Sequence, residues 1–443
     1  MDSLACTAEP APEGTMFTSS LPKAKSNSSL NSSVSAENSP TLYEQTPAEP
    51  SAADNAHAVQ NHSREISFLD LAPADLDISE ALGGRSAATI ECLRINRCRM
   101  DGGAFLNLAS ALCSYDLSSL HTVDLSQNHL SGAEAGMALA RILSHAKSVR
   151  FLSLGWNRLL LSDLCPIISA NEKALASTSQ TYEIECLDLR ANPLTPVLKR
   201  SSKKSTKHRS VHKECGDEFI GALVASMPNL THIQLAQATI GDRELISLLR
   251  SLTRPGSRVE YVGLEWLGLG SRLSALREML GNMASGDMTS AAATVAHPLV
   301  AVHLNLSANN LGDSGVEVIT SSGAVLQSLT LACNFITERG TGLLAEWLPQ
   351  SGLRLLDLSD NYFGDQGIVS LLATHSHTPA GACPATPTSS YCTQITTLGL
   401  TSCCLSDASL RMLSEALACN WAPLESLRIL RNSRMSPGAK LLL

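Results

Sequence analysis

The chain has 443 residues, enough for two or three ordinary domains or for one elongated repeat array. Hydrophobic residues make up 44% and aromatics only 4%, so any core is aliphatic and rich in leucine. The formal net charge is −8, from 33 Lys plus Arg against 41 Asp plus Glu, which argues against a general nucleic-acid binder because neutralising phosphates requires clustered cations.

Residues 1–14 hold Asp2, Glu9 and Glu13 and no apolar run, so no secretory signal is expected. No uncharged apolar stretch of about 18 residues follows, so no membrane span is expected. Thirteen cysteines, odd in number and with no C-x-x-C pair, fit thiols in a reducing, cytoplasmic compartment. Residues 1–64 are rich in Ser, Ala, Pro, Asn and Glu, with Phe17, Leu21 and Leu30 standing alone. Such a segment buries too little apolar surface to offset its conformational entropy, and it reads as a disordered tail. Beyond it Ile66, Phe68, Leu69, Leu71, Leu76, Ile78 and Leu82 recur at roughly helical spacing, which predicts an N-terminal capping helix region over 65–88.

Residues 89–443 carry the pattern L-x-x-L-x-L-x-x-N-x-L eleven times. Leu120, Val123, Leu125, Asn128 and Leu130 form one clear copy; Leu326, Leu329, Leu331, Asn334 and Ile336 form another. The x-L-x-L piece alternates with period two, so it predicts a short strand with leucines inward and the x residues on the open face. The Asn falls where the chain turns off the strand, where its amide can both donate to and accept from backbone groups. Seven copies have Asn there; Cys98 and Cys403 take the slot in two, and Ala238 and Leu267 break the rule. A Gly and an amphipathic stretch follow, as from Gly136 to Leu143, which predicts a helix. The unit is ~28 residues, and stacking such units sets a parallel sheet on a concave face and helices on a convex one.

This pattern resembles the ribonuclease-inhibitor-like class of leucine-rich repeats, as in ribonuclease inhibitor, Ran GTPase-activating protein and the repeat domains of NOD-like receptors. The resemblance implies an α/β leucine-rich-repeat solenoid, a horseshoe of about 11 repeats, that binds protein partners. It does not select a function within the class.

Three insertions lengthen the repeats, near 197–215, 281–297 and 374–393. The first holds Lys199, Arg200, Lys203, Lys204, Lys207, Arg209 and Lys213 without an acidic residue among them. It reads either as a solvated loop or as a nuclear-import signal or contact for an acidic partner. In the third, His375, His377, Cys383 and Cys392 have a spacing that fits no familiar metal site, so neither metal nor cofactor is expected. The sequence reaches Leu443 inside the helix expected after the last strand, with no polar cap beyond it. Either a partner covers that edge or the chain is a shortened form of a longer protein, and left bare the edge would invite self-association.

Nucleotide-loop, zinc-protease, nucleophile-elbow and kinase motifs are missing from the sequence, which favours a non-enzymatic interaction scaffold. Two alternatives stay open: a GTPase-activating regulator of the Ran type, using Arg97 or Arg99 after an early strand, and a cytoskeletal or flagellar structural component. For the scaffold, the candidate partner-binding residues are outward strand positions, Asp124, Phe151, Asp188, Arg190, Tyr261 and Glu265, with Trp156 and Trp266 just past two strands in the same repeat slot. Aromatics beside a few charges are the composition of interface hot spots. The competing structural reading is that each ring merely lies over its neighbouring repeat.

Overall fold

The computed structural model describes residues 65–73, 76, 89–178, 181–195, 223–224, 226–252, 257–284, 302–372 and 392–436. All belong to one compact unit, Val59–Leu443. The expected tail over 1–64, the basic loop from Lys199 to Lys213, the second insertion beyond 284, the third over 374–391 and the chain end at 437–443 lie outside the described residues.

Twelve parallel strands make one sheet in strict chain order. They are β1 (Glu65–Leu69), β2 (Cys92–Asn96), β3 (Thr122–Asp124), β4 (Phe151–Ser153), β5 (Cys186–Asp188), β6 (His232–Gln234), β7 (Tyr261–Gly263), β8 (Val302–Asn305), β9 (Leu326–Thr330), β10 (Leu355–Asp357), β11 (Thr397–Gly399) and β12 (Ser426–Arg428). The helices between them are α1 (Gly102–Leu112), α2 (Gly132–His145), α3 (Cys165–Thr178), α4 (Asp242–Leu252), α5 (Leu273–Ala284), α6 (Gly312–Ser321), α7 (Glu338–Ser351), α8 (Gly364–Leu372) and α9 (Asp407–Ala418). Strands β2 to β12 are the eleven expected from the repeat. The start of the second insertion, 281–284, is the last turn of α5.

The register shows why alternation was a reliable guide. Leu93, Val123, Leu152, Leu187, Ile233 and Val262 face one another strand to strand. The row continues through Leu304, Leu329, Leu356, Leu398 and Leu427. Down to Leu398 every member of this row is buried. A helix is ~10 Å across whereas neighbouring strands lie ~4.8 Å apart, so stacking one helix per strand curves the sheet inward.

The capping-helix expectation is corrected at its start. Residues Glu65–Leu69 form a strand whose alternation, Ile66 and Phe68 inward, is that of a repeat. β1 pairs with β2 in register, Ile66 beside Leu93 and Phe68 beside Ile95. Pairing with β2 satisfies the backbone of β1, and period two overrides the apparent helical spacing, which mixed strand residues with the turn after them.

Each strand leaves the sheet through a residue in the left-handed region. Asp70, Arg97, Gln127, Trp156, Ala191, Gln237, Trp266, Ala308, Cys333, Asp360, Ser402 and Arg431 have φ between 51° and 60°. This costs an L-residue about 1 kcal/mol, and the ladder slot directly after it supplies the compensation. Asn334 Nδ2 donates to the Leu306 and Ala332 carbonyls at 2.9 and 3.1 Å, and its Oδ1 accepts from the Asn309 and Leu311 amides at 3.0 and 3.3 Å. Asn128, Asn157, Asn192, Asn309, Asn361 and Asn432 are bonded in the same way. At Cys403 the thiol takes over the donor role, to the Leu358 carbonyl at 3.2 Å. Burial pushes that thiol up to about 12, so it stays protonated and can donate. Ala238 and Leu267 leave the ladder without an acceptor at β6 and β7, yet both turns keep the left-handed residue before the slot.

Candidate functional site

The break in the ladder coincides with a bonded polar cluster on the sheet's open face, on β5 to β8. Three residues per repeat point outward there. The first row across the strands is Cys186, His232, Tyr261 and His303. His232 and Tyr261 stack with centroids 5.8 Å apart and planes 21° from parallel. Burial raises the Tyr261 hydroxyl above its usual range, and Glu265 adds to this.

In the second row and just beyond it, side chains are held by their neighbours. Asp188 is buried, and its two oxygens accept from Arg190 Nε at 3.0 Å and Nη2 at 2.8 Å. It also accepts from Ser153 Oγ at 3.2 Å. The bidentate hydrogen bond raises the Arg190 guanidinium further, so Arg190 stays charged. On β7, Gly263 has no side chain, and Gln234 leans over it from β6: a Cβ at 263 would lie 1.7 Å from Gln234 Oε1. Glu265 Oε1 accepts from Gln234 Nε2 at 3.3 Å and from Asn305 Nδ2 at 2.6 Å. Asn305 Oδ1 in turn accepts from the Ser307 amide and hydroxyl.

Three of the sequence candidates, Arg190, Tyr261 and Glu265, thus lie within electrostatic reach of one another across β5 to β7, but Asp188 and Glu265 are not the open charges expected of them. Asp188 is neutralised by Arg190, and Glu265 is desolvated under Gln234 and Asn305. Asp124 also accepts its own turn's Ser126 amide at 3.0 Å, and Phe151 is half-buried on β4. The two tryptophans do stand out: Trp156 is 50% and Trp266 64% exposed, each at a left-handed turn residue. Their strands, β4 and β7, are three steps or ~14 Å apart. Gln234, Asn305 and His232 were not singled out from sequence, since nothing in an outward x position says which neighbour it meets. Phe335 and Tyr362, 59% and 69% exposed, were missed too, although each directly follows a ladder Asn in consecutive repeats. Arg97 donates to Gln127 Oε1 at 2.9 Å and lies 3.7 Å from Asp70, on the turn edge between repeats. Among the described residues no group of three or more His, Cys, Asp or Glu converges on a metal position, and no helix is long and apolar enough to cross a membrane.

Burial pushes the Glu265 carboxyl above its ordinary 4.5, against weaker opposing pulls from hydrogen bonds and Arg190. The folded state then holds this proton more tightly than the unfolded chain does. Its stabilising contribution is complete below the unfolded value and is lost as pH rises through the raised folded one. The melting temperature of Glu265→Gln relative to wild type is expected to climb from acidic to neutral pH. A difference constant with pH would contradict the assignment.

The architecture, a parallel sheet in chain order with a helix after most strands, is that of an α/β leucine-rich-repeat solenoid, a fold class whose members generally serve as protein-interaction scaffolds. A family profile described as Leucine Rich repeat matches residues 302–319 and 353–372. Ribonuclease inhibitor of Sus scrofa is 26% identical over 297 residues, covering 64% of this chain and 61% of that protein. NACHT, LRR and PYD domains-containing protein 14 of Mus musculus is 31% identical over 159 residues, 35% of this chain and 15% of its own length. The chain thus spans less than two thirds of either relative. A solved internalin of Listeria monocytogenes aligns over 82% of this chain and 88% of its own at 13% identity and a TM-score of 0.33, a distant likeness on which nothing further rests. The chain is thus built of leucine-rich repeats, similar in sequence to those of ribonuclease inhibitor and of NACHT, LRR and PYD domains-containing proteins.

Proposed function

We propose that the protein is a non-enzymatic scaffold that docks a partner protein on the open face of β4 to β8. The observation that carries this reading is the exposure of Trp156 and Trp266 from one repeat slot, flanking the Tyr261 and Arg190 surface. Indole rings held out by a rigid turn combine large contact area with little entropy to lose, which is why Trp, Tyr and Arg dominate hot spots. Ribonuclease inhibitor is named for a protein target, and a protein held against the repeats is the same kind of recognition. Thirteen cysteines, odd in number and without a C-x-x-C pair, suit action in the reducing cytoplasm.

Proximity labelling with the full chain would identify the partner. Against that partner, Trp156→Ala combined with Tyr261→Ala is expected to cost 2 kcal/mol or more, roughly a 30-fold loss of affinity, while the thermal melt stays cooperative. Unchanged affinity in the folded double variant would refute the docking face.

A further inference from the structure

Two acceptors in the β6–β8 cluster have no donor. Gln234 Oε1 and Glu265 Oε2 are shielded from water and unpartnered among the described residues. Each such orphan loses its hydration with no bond in return, so two together in a short stretch of sheet are not a neutral packing detail. Around them Glu265 Oε1 holds both amide donors, Asn305 Oδ1 holds Ser307, and the Tyr261 hydroxyl lies against the Gln234 and Asn305 side chains. The nearest cation, Arg190, spends its guanidinium on Asp188.

From this geometry we infer that the Gln234–Glu265–Asn305 cluster is a subsite for a guanidinium group, an arginine side chain presented by the docked protein. The inference rests on the docking reading above. A guanidinium is planar and offers paired N–H donors in fixed directions, which suits two acceptors on side chains from adjacent strands. Both acceptors end flexible side chains, so the guest reaches them through rotamer changes without backbone movement. Gly263 is what permits the arrangement, because any Cβ there would occupy the place of Gln234 Oε1. The exposed indole of Trp266, next in sequence to Glu265, offers a ring face at the rim for the incoming cation. A lysine ammonium presents no such paired, coplanar donors and fits less well.

The test uses agmatine, which carries a guanidinium and a primary ammonium but no carboxylate, titrated calorimetrically into the full chain. The neutral counterpart is n-butylurea, and cadaverine is the counterpart whose cations are ammonium alone. Wild type is expected to bind agmatine saturably and both counterparts far more weakly. Affinity for agmatine should fall by about an order of magnitude in Glu265→Gln and likewise in Gly263→Ala. It should be unchanged in Glu346→Gln, which alters an exposed carboxylate on α7. Equal isotherms for wild type and Glu265→Gln, or for agmatine and either counterpart, overturn the subsite and leave a carboxyl that only keeps its proton. The two proposals separate cleanly. Partner affinity lost in Trp156→Ala with Tyr261→Ala but kept in Glu265→Gln rejects the subsite alone. Agmatine binding kept while the double variant binds its partner normally rejects the docking face alone.

Discussion

Replacing Asn334 with Ala is expected to destabilise the protein by about 3–5 kcal/mol, read as a shift of the urea midpoint. The side chain is fully buried between two turns and makes four backbone hydrogen bonds, two given and two received. Alanine leaves two amides and two carbonyls facing a dry interior, and the left-handed Cys333 before it loses the contacts that offset its strain. Because each repeat contacts only its neighbours, the damage sits in the middle of the array and uncouples the repeats on either side. Asn334→Cys should cost less than Asn334→Ala. Cys403 shows how a thiol fills this slot, donating to Leu358 while its own backbone carbonyl receives the Gly364 amide at 3.1 Å. If the two variants proved equally unstable, the donor half of the ladder would carry no weight.

The second large effect concerns glycine in the helices, and its sign depends on place. Gly136→Ala should destabilise by about 2–4 kcal/mol, although alanine is the better helix former by about 1 kcal/mol. A Cβ at 136 would lie 1.7 Å from the Asp163 carbonyl oxygen, a backbone atom of the next repeat that no rotamer can move aside. Repeats on either side of α2 would have to part. Gly342→Ala on α7 meets only Ser370 Cβ at 3.9 Å, ordinary contact, so there the propensity gain of about 1 kcal/mol should appear as added stability. Thermal melts of the two variants moving in the same direction would contradict the close-approach argument.

Most of the fold was legible because it is periodic. Leu93 and Ile95 on β2 announce the same alternation that Leu329 and Leu331 show on β9, and the strand pairing places them in one row. The Asn slot could be read as a hydrogen-bonding device before any geometry was known. Reading failed at β1, where Ile66 and Phe68 stand ahead of a turn lacking Asn, so that Leu69 and Leu71 completed a false helical spacing. The clue available was distance along the chain, since Ile66 precedes Leu93 by about one repeat.

By itself, then, the sequence determined the strands, the inward rows and the turn ladder, because each depends on residues at fixed offsets within one repeat. Which outward residues are open was decided only by the tertiary structure. Glu265 and Trp266 are adjacent in sequence and both outward by pattern, yet one is partly buried with its carboxyl desolvated and the other is 64% exposed. The difference comes from Gln234 and Asn305, 31 and 40 residues away from Glu265, which both bond its carboxyl, Gln234 in the room that Gly263 leaves. A side chain's surroundings on a sheet face belong to the strands beside it, and the spacing between those strands along this chain is set by insertions whose lengths follow no period.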